Sequence, residues 1–486
     1  MPGEALLPSL VAVPLLGATV PVLLARRRER LGWPVALVVS LVHAALAAWT
    51  ALVVLREGPV AAEIGGIPAP FGIALRVDAL SVPFLLLVAG SGLAVLAYTR
   101  VAGPRSGPFY GLYLLLVGGL TGVCVTADAF NLYVFLEISG LASYGLVARS
   151  DRPAAAVAAL QYLLVGTVGA SLYLFGVGYA YVATGVLSLR GLAAGFAAAG
   201  HGSTLVVVAF VLVVVGLAVK LALFPLHVTK PDAYAVAPTG VAALLAALAS
   251  TVAGYALLRL LLSAFTYEAL RAVPALRWGL FLAAGASVAA GSLLAFRATE
   301  VRRLLAYSSV TQYGLAAFGL AVGTRLALVG AVIQLVGHAV MKGGLYLAVG
   351  VISARTGAET VDGYAGVAEE APGAGAAVAV LALGMVGIPP TVGFAGKLYI
   401  AAGAFEAGLW PVAAVVLAST LLSLAYFGRL IQRLYVDSPG EFAPTGPVST
   451  GMAAAVAGAA TLAVVLGLGA AGVESALGPA LEGVVP

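Results

Sequence analysis

The sequence predicts an all-α polytopic membrane protein with about fourteen transmembrane helices. Of its 486 residues, 62% are hydrophobic and only 9% are charged, whereas a soluble domain carries about 25% charged residues. The apolar runs are about 20 residues long, which is the length that a helix needs to span the hydrocarbon core of a bilayer. They do not show the alternation over about ten residues that is typical of an outer-membrane barrel.

Charged residues, prolines and glycines separate the apolar runs and set the limits of each predicted helix. The first run ends at the cluster Arg26–Arg28 and the second ends at Arg56. The later linkers are also short, so none of them holds a soluble domain. In chain order, the predicted helices occupy residues 5–25, 33–55, 79–98, 109–127, 130–149, 155–184, 205–228, 234–264, 277–296, 303–323, 326–353, 373–397, 400–436 and 450–473.

Prolines interrupt two of these helices. Pro225 lies in the seventh, and the pair Pro389 and Pro390 lies in the twelfth. Each proline removes a backbone hydrogen bond. At membrane depth such a break is tolerated only where it is buried in protein or lines a hydrated cavity, and transporters place such breaks at their ion sites.

Arginine and lysine are unevenly distributed between the loops. Loops after odd-numbered helices hold fifteen of them, and loops after even-numbered helices hold six. By the positive-inside rule, the odd-numbered loops face the cytoplasm. We therefore expect a multi-pass protein of the cell inner membrane with both termini outside the cytoplasm. The net charge of +5 then belongs to cytoplasmic loops and not to a nucleic-acid surface.

The chain contains only four lysines, and their positions are unusual. Lys220, Lys342 and Lys397 lie within predicted helices, and Lys230 lies where the seventh helix breaks. Every other basic side chain is arginine. A buried lysine can lose its proton, whereas arginine effectively cannot. This distribution indicates that the lysines have a task in the membrane; the alternative is that they are structural ion-pair partners.

A carboxylate lies in the middle of the predicted fifth helix. Glu137 needs a nearby cation there, or it loses its charge. Lys220 is its natural partner. Because a buried ion pair stabilises weakly compared with apolar replacements, a functional pair is favoured over a purely structural one.

The predicted eleventh helix carries a stripe of polar side chains, spaced four residues apart along one face. Histidine and lysine can both exchange protons near neutral pH when their environment shifts them, so the stripe predicts a hydrated track. A histidine alone would more often be a packing residue. The stripe consists of Gln334, His338, Lys342 and Tyr346.

Six segments of the sequence carry a resemblance to a known family. They read GGIPAPFGIALRVDALS, FNLYVFLEISGLASYGL, VKLALFPLH followed by PDAYAVAP, RRLLAYSSVTQYG, GHAVMKGGLYLAVG and GIPPTVGFAGK. They resemble the antiporter-like subunits shared by Mrp-type sodium/proton antiporters, respiratory complex I and membrane-bound hydrogenases, and the resemblance covers most of the chain. The stretches GGIPAPFGI and FNLYVFLEI look most like the D subunit of Mrp antiporters or its hydrogenase relatives.

The resemblance implies fourteen helices with two inverted five-helix repeats, broken in helices 7 and 12. It also implies an ion pair of Glu137 with Lys220 in the first repeat and a terminal proton carrier, Lys397, in the second. The implied regions are residues 1–108 with three helices, 109–265 as the first repeat, 266–436 as the second repeat and 437–486 with the last helix. The candidate proton-carrying residues are Glu137, Lys220, His227, Lys230, His338, Lys342 and Lys397.

The chain departs from the family in one respect. Relatives carry a lysine in helix 8, eight residues before an arginine, and Thr251 stands at that position here. Lys230 stands where relatives usually have an apolar residue. Either Lys230 or bound water replaces the missing carrier, or the relay is incomplete.

We therefore expect a proton-translocating membrane subunit, with a multisubunit Na⁺/H⁺ antiporter as the first choice. One alternative is a proton-pumping subunit of an NADH-quinone oxidoreductase or hydrogenase-type complex. Another is a non-translocating scaffold or energy-coupling subunit. The expected partners are other membrane subunits, protons, Na⁺ and the lipid bilayer. The single cysteine, Cys124, excludes a cysteine-based cluster, and we expect no cofactor, metal ion or nucleic acid.

Overall fold

The computed structural model describes residues 2–25, 29–67 and 72–481. Twelve helices in this part of the chain are long and apolar enough to cross a membrane. The predicted fold class, an all-α polytopic membrane protein, is confirmed. The arginine cluster at 26–28 and the stretch 68–71 of the first family-like segment lie outside the described residues.

The N-terminal region contains a bend and a hairpin that the sequence analysis did not predict. The first predicted helix is divided at Ala18, because Pro21 cannot donate a backbone hydrogen bond to Gly17. The hairpin is antiparallel and pairs Val60 with Val77. The elements are α1 (Pro2–Gly17), α2 (Thr19–Ala25), a 3₁₀ turn (Glu29–Leu31), α3 (Gly32–Glu57), β1 (Val60–Glu63), a 3₁₀ turn (Ile64–Gly66), β2 (Ala74–Val77) and α4 (Val82–Thr99).

The first half contains the break at Pro225. The chain leaves the helix after Leu221, and Ala222 adopts a left-handed conformation with φ 63°. The elements are α5 (Gly107–Val125), α6 (Ala129–Val147), α7 (Ala155–Thr184), α8 (Leu189–Ala199), α9 (Thr204–Leu221), α10 (Thr229–Val236), α11 (Thr239–Leu244), a π-helical turn (Leu245–Ala249), α12 (Ser250–Ser263) and α13 (Thr266–Ala272).

The second half contains the break at Pro389 and Pro390, which separates two half-helices of similar length. The elements are α14 (Pro274–Arg297), α15 (Val301–Val322), α16 (Arg325–Thr356), a 3₁₀ turn (Asp362–Tyr364), α17 (Val367–Glu370), α18 (Pro372–Val386), α19 (Val392–Glu406), α20 (Trp410–Tyr435), α21 (Thr450–Leu468) and α22 (Ala470–Leu481).

Each predicted helix has a helical counterpart, but some limits differ. The predicted twelfth helix stops at residue 397, whereas α19 continues to Glu406 and places Lys397 near its middle. The next helix begins at Trp410 and not at 400, because Gly408 turns the chain with φ 70°. The helix α15 and the pair α18 and α19 are not among the twelve apolar spans. The count of fourteen crossings, the inverted repeats, the four regions and the orientation remain predictions.

A buried ion pair ties the hairpin to α12. Arg259 donates two hydrogen bonds to the Asp78 carboxylate, of 2.6 and 2.8 Å. Ser81 and Tyr255 extend the network, since their hydroxyls lie 3.0 Å apart and both accept from Arg259. Burial alone raises the pKa of Asp78, but the hydrogen bonds and charge of Arg259 outweigh it and lower that pKa to about 2. The pair therefore stabilises the fold above the ordinary pKa of 3.8 and loses this effect only as the pH falls towards 2.

We expect Asp78→Asn to destabilise the protein by about 3–5 kcal/mol, because it leaves the Arg259 guanidinium buried without a counter-charge. The measurement is the melting temperature of the detergent-solubilised protein at pH 7. The matched control is Glu268→Gln, which removes an exposed ion pair with Arg271 and should change stability by less than about 1 kcal/mol. Equal melting of Asp78→Asn and wild type would show that the pair does not stabilise the fold.

Candidate functional site

The predicted pair of Glu137 and Lys220 is present. The Lys220 amine lies 2.8 Å from a Glu137 carboxylate oxygen and joins α9 to α6. Both side chains are mostly buried, with exposures of 13% for Lys220 and 18% for Glu137. Glu137 is the one carboxylate in mid-helix among the apolar spans of the described chain.

A small polar cavity adjoins this pair. Its volume is about 20 Å³, which is enough for a water molecule. Hydroxyl groups and two amines line it, so a water there has the polar partners that it needs. The polar lining residues are Ser139, Ser143, Tyr144, Tyr162, Lys220, Thr229 and Lys230.

Lys230 and Lys397 occupy comparable places at the two broken helices. The last carbonyls of a helix have no partner within that helix. The Lys230 amine donates to the carbonyl of Lys220 near the end of α9, ten residues earlier. The Lys397 amine donates to the carbonyl of Val386 at the end of α18, eleven residues earlier, at 2.7 Å. A cation at this end of a helix is also favoured by the helix dipole.

The second hydrogen bond of each lysine goes to a hydroxyl group. Lys230 contacts the Ser250 side chain, and Lys397 lies 3.4 Å from the Thr420 hydroxyl. Among the described residues, no carboxylate pairs with either amine. Both amines are therefore held only by neutral carbonyl and hydroxyl groups.

The polar stripe of α16 faces α15 and is completely buried. The Lys342 amine donates to the Ser308 hydroxyl at 2.7 Å and to the Leu305 carbonyl at 2.9 Å. It also lies 5.8 Å from the centre of the Phe427 ring. The described residues offer it no carboxylate. Lys342 is therefore a third buried amine held only by neutral groups.

His338 lies one turn before Lys342 on the same face. Both of its ring nitrogens are buried and have no hydrogen-bond partner among the described residues. Its ring packs edge-to-face against Tyr313, with the ring centres 4.6 Å apart. An unpaired buried polar group costs about 1–3 kcal/mol, which argues against a purely structural role for this imidazole.

Two glutamines connect the stripe to the break near Lys397. The Gln334 amide donates to the Gln312 side chain at 2.5 Å, and Gln312 donates to the Met385 carbonyl at 3.1 Å. The Gln334 oxygen faces Gly396, where an added methyl group would come within 2.5 Å of it. Polar groups thus extend from α16 to the residue beside Lys397.

The remaining candidates occupy less connected positions. His227 is buried in the turn between α9 and α10, and its Nδ1 atom has no partner among the described residues. The Thr251 hydroxyl lies 3.2 Å from the Tyr313 hydroxyl. The structure thus brings Glu137 and Lys220 into direct contact, whereas no hydrogen bond among the described residues joins Lys342 to Lys397.

The sequence analysis missed two hydroxyl-bearing residues of this site. Ser250 binds Lys230, and Tyr313 packs on His338. Both are buried, Ser250 in α12 and Tyr313 in α15. A polar residue in a lipid-buried helix is the signal that could have indicated them.

The two broken helices and the buried lysines are the features that the sequence analysis expected of a polytopic membrane subunit of the antiporter-like class. The family described as "NADH:quinone oxidoreductase/Mrp antiporter, TM" matches residues 126–423, and the chain belongs to this family. The N subunit of the NADH-quinone oxidoreductase of Desulforudis audaxviator (strain MP104C) is 44% identical over 381 residues, covering 77% of this chain and 75% of that protein. The D subunit of the Na⁺/H⁺ antiporter of Bacillus subtilis (strain 168) is 30% identical over 375 residues, covering 76% of this chain and 75% of that protein.

A solved structure extends the similarity to nearly the whole chain. A chain of the membrane-bound sulfane sulfur reductase, an archaeal respiratory membrane complex, superposes with a TM-score of 0.91 at 28% identity. The match covers 99% of this chain and 97% of that one. The protein is an antiporter-like subunit of an Mrp-type, complex I-type or related assembly, and it lies in the membrane alongside other membrane subunits.

Proposed function

We propose that this chain carries protons across the membrane through its buried lysines. One observation carries the proposal. The amines of Lys230, Lys342 and Lys397 are buried and bind carbonyl and hydroxyl groups, and none of them pairs with a carboxylate among the described residues. Such an amine has hydrogen-bond partners in both protonation states, since hydroxyl groups can donate as well as accept. Glu137 and Lys220 supply a compensated charge pair beside Lys230.

Within the family, we propose a subunit of a proton-pumping oxidoreductase rather than a sodium/proton antiporter. The identity to the oxidoreductase N subunit, at 44%, is greater than that to the antiporter D subunit, at 30%. The site also supports protons over sodium. A sodium ion prefers several oxygen ligands, and Glu137 is the only mid-helix carboxylate in the described spans. The antiporter preferred by the sequence analysis is therefore the second candidate.

The test uses inverted membrane vesicles that contain the complete complex. Addition of NADH should acidify the vesicle interior, and replacement of Na⁺ by K⁺ should leave the rate unchanged. Proton movement driven by a sodium gradient without an electron donor would support the antiporter instead. Absence of proton movement from both experiments would favour the scaffold alternative.

We expect Lys230→Leu to lower proton transport at least tenfold without preventing assembly. Lys230 reaches Ser250, which is adjacent to Thr251, so it places an amine near the position where relatives carry their lysine. The measurement is the initial rate of vesicle acidification per assembled complex. The double variant Lys230→Leu with Thr251→Lys should recover part of the rate. An unchanged rate in the single variant would mean that Lys230 only caps α9.

A further inference from the structure

A set of hydroxyl groups lies between the lysines of the first half and His338 of the second. It surrounds the π-helical turn Leu245–Ala249 in the eighth predicted helix. Turns of this kind occur frequently at functional sites. The carbonyl of Leu245 accepts from the Tyr234 hydroxyl at 3.3 Å, and that of Ala246 accepts from the Tyr313 hydroxyl at 3.4 Å.

Ser250 contacts two lysines of the first half. Its hydroxyl binds the Lys230 amine and lies 3.2 Å from the Lys220 carbonyl. The Tyr313 hydroxyl lies 3.2 Å from the Thr251 hydroxyl and also interacts with the Ser250 side chain. These three hydroxyl-bearing side chains are buried, with at most 2% exposure.

In the second half, Tyr313 contacts His338. Its ring packs against the ring of His338, whose two nitrogens lack partners among the described residues. Burial of an imidazole without hydrogen bonds is costly. No hydrogen bond within the described part of the chain fixes the orientation of this ring. Transfer of a proton from Tyr313 requires one ring nitrogen to turn towards the tyrosine hydroxyl.

We propose that Ser250 and Tyr313 pass protons between Lys230 and His338. This inference rests on the proposed function and adds the route between the two halves. In one transfer, the Lys230 ammonium gives a proton to the Ser250 oxygen, and Ser250 gives its own proton to the Tyr313 oxygen. Tyr313 then gives its proton to a ring nitrogen of His338. One N–H and two O–H bonds break and the same number form, which leaves a neutral amine and an imidazolium.

The direct test is Tyr313→Phe in the complete complex. Phenylalanine keeps the ring against His338 and removes only the hydroxyl. We expect at least a tenfold fall in NADH-driven vesicle acidification, with normal assembly. The matched control is Tyr267→Phe, because the Tyr267 hydroxyl is also buried and donates to the Leu320 carbonyl at 2.7 Å, away from the lysines. That variant should retain the wild-type rate.

A second variant separates a relay from a packing effect. Ser250→Ala should also lower the rate at least tenfold, and the double variant with Tyr313→Phe should be no slower than either single variant, because both residues act in series. If the fold losses in rate of the two single variants multiply in the double variant, the two changes are independent packing defects and the inference is overturned. A wild-type rate in Tyr313→Phe would overturn it too while leaving the proposed function intact. Failure of the wild-type complex to move protons would instead remove the proposed function and this inference together.

Discussion

Replacement of Glu137 by glutamine is expected to abolish proton transport while the complex still assembles. Glutamine has nearly the same shape and can still accept a hydrogen bond from Lys220, so the contact between α6 and α9 persists. It removes the charge that compensates the Lys220 ammonium across 2.8 Å. Loss of one partner of a buried pair costs about 3–5 kcal/mol, and each 1.4 kcal/mol is about a tenfold change in an equilibrium. The Glu137→Gln variant therefore leaves the Lys220 ammonium without its counter-charge.

The measurement is vesicle acidification by NADH, with the amount of assembled complex determined on the same membranes. Glu268→Gln provides the control, because it also neutralises a glutamate paired with a basic side chain, but at an exposed site. It should transport at the wild-type rate. Retained transport in Glu137→Gln would reduce the pair to a packing contact between the two helices.

The sequence was sufficient to predict the fold class and the contact of Lys220 with Glu137. The seventh predicted helix, with its break at Pro225, and the helix at 155–184 were both found where predicted. The limits of the latter coincide because they depend on local signals, namely Pro153 before the helix and Gly185, with φ 74°, after it. Such signals lie within a few residues of the feature that they determine.

The contacts between helices could not be predicted in the same way. Ser308 and Gln312 gain their partners only because α15 packs along the polar face of α16. The position of Ser250 beside Lys230 depends on the π-helical turn and on the course of the chain after Pro225. The relative register of two helices is determined by packing over many residues, and the spacing within one sequence segment does not contain it.

Lys397 shows how a structural and a functional role can coincide at one residue. Its amine binds the free carbonyl of Val386 at the end of α18 and approaches Thr420. A permanently charged side chain would satisfy these groups and the helix dipole equally well. If Lys397 were only a cap, arginine would therefore replace it with little loss. If it carries protons, it must also exist as a neutral amine, which arginine effectively never does.

We therefore expect Lys397→Arg to assemble as wild type and to transport as poorly as Lys397→Ala. The two variants should differ in stability, because alanine leaves the Val386 carbonyl without its partner, whereas arginine can still donate to it. An unsatisfied buried carbonyl costs about 1–3 kcal/mol, so only the alanine variant should melt at a lower temperature than wild type. The measurements are vesicle acidification and the melting temperature of the purified complex. Near-normal transport by Lys397→Arg would identify the lysine as a fixed charge, and the second half of the proposed proton route would then have to end before this residue.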